Sequence, residues 1–311
     1  MTDAAGTQPP RAVRRNLTLT ERLDAYERLM RLDKPIGTLL LLWPTLSALW
    51  FAANGTPRLS LVLIFVVGTL VMRSAGCAIN DWADRNYDGH VRRTAMRPLA
   101  AGVIAPWEAL VVAAVGVAVA FALVLFTNRT AMLWSLPAFA ITAIYPFVKR
   151  FFAVPQAVLG IAFSFGIPMA YAAVQDQVPL LAWALLGINF FWVMAYDTEY
   201  AMVDREDDMK VGIRTSAITF ARYDVAAVAA CYAIFVAGIA CFGWLYAMGP
   251  AYYAGLAVAS GIAVHHLRMI RSREPSACFR AFLGNHWLGM CIFVGIAVDY
   301  AVRSGRWPHA L

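Results

Sequence analysis

A series of apolar stretches, each close to the length a helix needs to cross the hydrocarbon core of a bilayer, restricts the fold more than any other feature of the sequence. They run over Ile36 to Ala53, Ser60 to Asn80, Trp107 to Thr127, Ala131 to Val148, Pro155 to Val174, Pro179 to Tyr200, Asp224 to Ala247, Ala251 to Ile270 and Phe282 to Val302. Turn-forming residues punctuate them at Asn54-Gly55-Thr56-Pro57, Thr127-Asn128-Arg129, Gln175-Asp176-Gln177 and Met248-Gly249-Pro250. Over 311 residues the chain is 61% apolar and 14% charged, with a mean hydropathy of +0.61, which excludes a soluble domain. The expectation is an all-α polytopic membrane protein with about nine transmembrane helices around a cytoplasm-facing central cavity.

The basic residues divide by side. One set holds Lys34 with the six arginines before it, then Arg85, Arg92, Arg93 and Arg97, then Lys149 and Arg150. It continues with Arg205, Lys210, Arg214, Arg222, Arg268, Arg271, Arg273 and Arg280, whereas the opposite set holds Arg58, Arg129, Arg303 and Arg306. The positive-inside rule then puts the N-terminus in the cytoplasm and the C-terminus outside. This pattern accounts for the net charge of +7 as topology rather than nucleic-acid binding. Residues 1–32 are expected to form a polar tail and an amphipathic segment, without the apolar core of a secretory signal. Residues 33–311 are expected to form one transmembrane domain of two pseudo-repeated halves. Cys77, Cys231, Cys241, Cys278 and Cys291 have neither metal nor disulfide spacing and are expected to pack.

Acidic residues close two of the spans. Asn80, Asp84 and Asp88 recur every four residues and would share one helical face, with Asp81 pointing elsewhere. Asp197, Asp204 and Asp208 would fall on a second narrow stripe. Asp197 serves equally well as a hydrogen bond to a neighbouring helix. Carboxylates at a membrane boundary are expensive and mark a functional cavity. Carboxylate and carbonyl oxygens suit Mg2+, which commonly binds through one or two carboxylates plus substrate phosphates. Basic residues beside acidic rows would repel a bare cation but fit a metal-bound polyanion. A diphosphate on a lipid therefore fits this arrangement. Arg73 alone lies within a span, and Lys210 and Arg214 follow the second row as further diphosphate contacts. His265-His266 lies within a span without acidic neighbours, where a helix contact is expected rather than a metal. Gly166-Ile167-Pro168 is expected to kink its helix.

The run Asn80-Asp81-x-x-Asp84-x-x-x-Asp88 followed by Arg93-Thr94-x-x-Arg97-Pro98-Leu99, the pair Asp204-x-x-x-Asp208 and the intervening Tyr145-x-x-x-Lys149 resemble the motifs of the UbiA-type membrane prenyltransferases. Asp33-Lys34-Pro35-Ile36-Gly37, Tyr145-Pro146-Phe147-x-Lys149-Arg150 and Tyr196-Asp197-Thr198 are most similar to the branch that prenylates 4-hydroxybenzoate in ubiquinone synthesis. The resemblance implies an enzyme of the bacterial inner membrane that uses Mg2+, polyprenyl diphosphate and 4-hydroxybenzoate. It implies that Asn80, Asp84, Asp88, Asp204 and Asp208 hold the metal, and that Arg73, Lys149 and Arg150 contact the diphosphate. Glu206, where this branch often carries Asp, departs at a position off the stripe. The base that removes the ring proton and the partner of the acceptor carboxylate stay unassigned. Other acceptors such as haem, homogentisate or a naphthoate stay open, as do a cation-coupled transporter and a lipid headgroup phosphotransferase.

Overall fold

Thr18 accepts a hydrogen bond from the Glu21 amide while the Glu21 carboxylate accepts one from the Thr18 amide, a capping box that starts helix α1 (Leu19–Met30). The helix stops where Arg31 takes a left-handed conformation at φ 58°. Its Ala25 and Leu29 bury against Ala78, Leu99, Ile104, Ala109 and Ala113. The computed structural model describes residues 17–148 and 150–304, so the first half of the expected N-terminal tail and Lys149 lie outside the described residues. No strand occurs among the described residues.

Each expected apolar stretch coincides with a helix or a helix pair: α2 (Ile36–Ala52), α3 (Leu59–Asp84), α4 (Pro106–Val124), α5 (Arg129–Val148), α6 (Pro155–Ser164) with α7 (Gly166–Gln175), and α8 (Leu180–Val203). After the short α9 (Arg205–Val211) and α10 (Ser216–Phe220) come α11 (Asp224–Leu245), α12 (Pro250–Ile270) and α13 (Pro275–Arg303). Among the described residues, seven helical stretches are long and apolar enough to cross a bilayer, and α2, apolar but of 17 residues, is shorter. α12 is not among the seven; His265, His266 and Arg268 occupy its last turns.

One expected interruption occurs, and one boundary differs from expectation, each for a local reason. The break between α6 and α7 falls at Phe165 because Pro168 has no amide hydrogen to donate to the Ser164 carbonyl. α13 begins at Pro275 rather than near Phe282: Glu274 caps it by accepting from the Ser276 and Ala277 amides, and Pro275 suits the first helical position.

α12 and α13 approach so closely that a Cβ on Gly255 would sit 2.5 Å from the Cys291 carbonyl oxygen. A buried polar network joins α8, α11, α12 and α13. The Glu199 carboxylate accepts from the Tyr232 hydroxyl (2.9 Å) and from Asn285 Nδ2 (2.8 Å). Trp192 Nε1 donates to Asn285 Oδ1 (2.9 Å), and His266 Nδ1 lies 3.2 Å from the Tyr232 hydroxyl. His266 thus makes the helix contact expected of it. Such groups are tolerated in an apolar bundle because they satisfy one another.

Candidate active site

The acidic motif closing α3 does not continue the helix. Arg85 donates to the Trp82 carbonyl (2.7 Å), Arg150 to the Ala83 carbonyl (2.7 Å) and the Tyr87 amide to the Asp84 carbonyl (2.7 Å). With these terminal carbonyls taken, the helix ends at Asp84, and Asp88 opens a separate 3-10 turn, Asp88–His90. The expected single face for Asn80, Asp84 and Asp88 is therefore corrected: Asp88 reaches its place through a turn. The second row breaks similarly. α8 ends at Val203, and Asp204 (φ −99°, ψ 5°) is the hinge to α9, so Asp197 and Asp208 lie on different helices.

Guanidinium groups hold these carboxylates. Arg97 Nη1 bridges Asp88 Oδ2 (2.9 Å) and Asp81 Oδ1 (3.0 Å), and Arg31 Nη2 donates to both oxygens of Asp81 (2.9 Å each). Arg93 Nε donates to both Asp204 oxygens (3.0 Å each) and lies over the Tyr200 ring at 4.4 Å. The loop after the first motif thereby grips the second motif. Burial opposes the charge on Arg93 and Arg97, but Tyr200 and Asp204 beside Arg93, and Asp81 and Asp88 beside Arg97, push both above the ordinary arginine value. Both stay cationic.

These groups border a cavity of about 930 Å³. Its polar end is lined by Arg31, Arg73, Asn80, Arg93, Arg97 and Asp197, and its remainder by apolar and aromatic side chains such as Phe65, Phe121, Phe139 and Phe163. Arg73 projects from α3 with Nη1 2.8 Å from Cys77 Sγ, Cζ 5.8 Å from the Phe163 ring centroid, and a buried Nε that has no hydrogen-bond partner. It fits because residue 37 is glycine: a Cβ there would lie 2.7 Å from the guanidinium.

Of the residues singled out in the sequence, Arg73, Asn80 and Asp197 line the cavity, while Asp84, Asp88 and Asp208 are buried and are not among the lining residues. Arg150 caps α3 and packs on Tyr87 and Phe147 instead of lining the cavity. Lys210 pairs with Asp207 one turn away (3.2 Å), and Arg214 donates to the Phe151 carbonyl (3.0 Å); neither is among the described lining residues. Arg31, Arg93 and Arg97 carry no site role in the sequence reading. The spacing Arg93-Thr94-x-x-Arg97 behind the acidic run was the available signal for two of them, and Arg31 had none.

The donor set around the motifs, one amide and several carboxylate oxygens, suits a hard divalent cation. No three of the described His, Cys, Asp and Glu residues stand close enough to form a cage by themselves. Oxygens from a bound substrate would have to complete the coordination, as is usual for Mg2+.

A model of the UbiA prenyltransferase family matches residues 41–289. The chain belongs to the UbiA prenyltransferase family. The 4-hydroxybenzoate octaprenyltransferase of Cupriavidus necator is 60% identical over 285 residues, covering 92% of this chain and 100% of the relative. That of Ralstonia nicotianae is 60% identical over 91% of this chain and 97% of its own length. Among solved structures, the apo UbiA homolog of Aeropyrum pernix K1 superposes with a TM-score of 0.76 at 25% identity, covering 84% of this chain and 97% of that one. A UbiA homolog from Archaeoglobus fulgidus bound to GPP and Mg2+ has a TM-score of 0.68 at 22% identity, covering 90% and 99%. Family membership and the apolar helices together make this an integral membrane protein.

Proposed function

We propose that this protein transfers a polyprenyl group from polyprenyl diphosphate to the ring carbon of 4-hydroxybenzoate ortho to its hydroxyl, releasing diphosphate, in ubiquinone biosynthesis. The supporting observation is the near full-length identity to relatives named for this activity. The cavity has the matching chemistry, with cations and acids at one end and apolar and aromatic walls beyond.

Asn80, Asp84, Asp88, Asp204 and Asp208 would hold Mg2+, which when bound neutralises charge on the departing diphosphate. Arg73 is a cavity-lining cation that no carboxylate of the described residues is seen to pair with, which supports a contact from its guanidinium to a substrate anion. Arg93 and Arg97 bring positive charge to the same end, where an anionic leaving group is stabilised without reorganisation of solvent. As the allylic carbon–oxygen bond breaks, the ring carbon forms the new carbon–carbon bond and its hydrogen leaves as a proton. Aromatic walls stabilise the cationic character of the allylic carbon, and the apolar remainder of the cavity accommodates the prenyl chain. The side-sorted arginines and lysines support a topology with the N-terminus and both acidic motifs in the cytoplasm, the protein in a bacterial inner membrane and the C-terminus in the periplasm.

Membranes containing the protein are incubated with labelled 4-hydroxybenzoate and a long-chain prenyl diphosphate, with Mg2+ or with EDTA. An apolar labelled product that requires Mg2+ is the expected result. Prenylation of another phenol or of a porphyrin but not of 4-hydroxybenzoate would overturn the acceptor. Product formation undiminished by EDTA would overturn the metal assignment.

A further inference from the structure

Asp224, at the start of α11 and outside both acidic motifs, is fully buried between two arginines. Arg205 Nη1 donates to its Oδ2 (2.8 Å); Arg273 donates to Oδ1 through Nε (3.0 Å) and Nη2 (2.7 Å). Arg273 is fixed independently, since its Nη2 also donates to the Arg222 carbonyl (2.9 Å). Arg205 is the first residue of α9, directly after the hinge residue Asp204. The hinge is therefore gripped from two directions. Arg93, from the loop after the first motif, takes the Asp204 carboxylate, while Asp224, from α11, takes the Arg205 guanidinium.

Successive helical residues differ by a fixed rotation of about 100°, so the direction of one side chain sets the directions of its neighbours. Asp208 is in the same short helix, its amide donating to the Asp204 carbonyl (2.8 Å). Holding Arg205 against α11 thus fixes the azimuth at which Asp208 faces the first motif, and Asp204, joined directly to Arg205 and bonded through its carbonyl to the Asp208 amide, is held at the start of the same helix.

We infer that Asp224, acting through Arg205, is a positioning residue for the second acidic motif and sets how tightly that motif binds a divalent cation together with a prenyl diphosphate. The inference rests on the metal–diphosphate reading proposed above. Loss of an outer partner of this kind typically weakens metal binding by about 10- to 100-fold.

The test titrates Mn2+ into full-length protein in lipid nanodiscs with geranyl diphosphate present, reading free Mn2+ by electron paramagnetic resonance. Asp224→Asn and Arg205→Gln are each expected to raise the half-saturating Mn2+ concentration by about 10-fold. The double variant should do the same, not shift it by the roughly 100-fold that independent effects would give. Arg205→Lys keeps the single ionic contact and should restore affinity to within about 3-fold of wild type. Arg273→Gln removes the partner not attached to the motif; it is expected to lower thermal stability and leave Mn2+ affinity unchanged. Multiplying shifts in the double variant, or the same loss from Arg273→Gln as from Arg205→Gln, would overturn the positioning role. Unchanged affinity in Arg205→Gln would do so even where Asp224→Asn fails to fold. A wild-type protein without diphosphate-dependent Mn2+ binding would overturn the metal reading itself and this role with it.

Discussion

Replacing Asp81 with Asn tests whether the cluster beside the cavity is held by charge. Asp81 is 1% exposed and receives three guanidinium hydrogen bonds, two from Arg31 and one from Arg97. Removing one partner of a buried ion pair typically costs about 3 to 5 kcal/mol, because the remaining charge is left uncompensated. Two features place the expected loss at the lower end. Arg97 keeps its bond to Asp88, and the Arg31 and Arg97 side chains retain 17% and 16% exposure, so water screens them partly. The expected destabilisation is about 3 kcal/mol, roughly a 100-fold shift in the unfolding equilibrium. Equilibrium unfolding in mixed micelles by SDS titration reads it directly. Asp81→Asn combined with Arg31→Gln should recover about 1 kcal/mol or more, since the second change removes the stranded charge. A loss below about 0.5 kcal/mol, or a double variant less stable than Asp81→Asn, would refute the clamp as the source of rigidity here.

Asp84→Ala and Asp204→Ala are each expected to lower turnover by about 100-fold or more while leaving membrane insertion intact, measured by product formation and by extraction from membranes. Gly37→Ala would push on the Arg73 guanidinium and should raise the KM of a substrate by about 10-fold, with stability changed by less than about 1 kcal/mol because the obstructing atoms end a flexible side chain. Gly289→Ala is a contrasting case. Its Cβ would meet the rigid Trp192 ring at 2.5 Å and Trp43 at 2.9 Å, so destabilisation of about 1 to 3 kcal/mol is expected in the same unfolding assay.

The helical class, the approximate spans and the two acidic motifs were legible in the sequence because each rests on local pattern. Length and hydropathy over some twenty residues report a helix that can enter a bilayer, and Pro168 announces its own break through a missing donor. The start of α13 was less legible: apolarity marks the lipid-facing part of a helix, whereas Glu274 and Pro275 begin it before that part.

The chain by itself determined which chemistry is available, since acids at helix ends, amide oxygen and neighbouring cations are properties of residue type and spacing. Tertiary structure decided which of those groups meet. Arg93 reaches Asp204 across 111 positions and Arg31 reaches Asp81 across 50, contacts that no periodicity encodes. Structure also assigned Arg150 to the end of α3 rather than to the cavity, and divided the acidic rows at Asp84 and Asp204. The physical reason is one of range. A helical period relates side chains over a few turns, whereas the partner that satisfies a buried charge is chosen by the packing of whole helices.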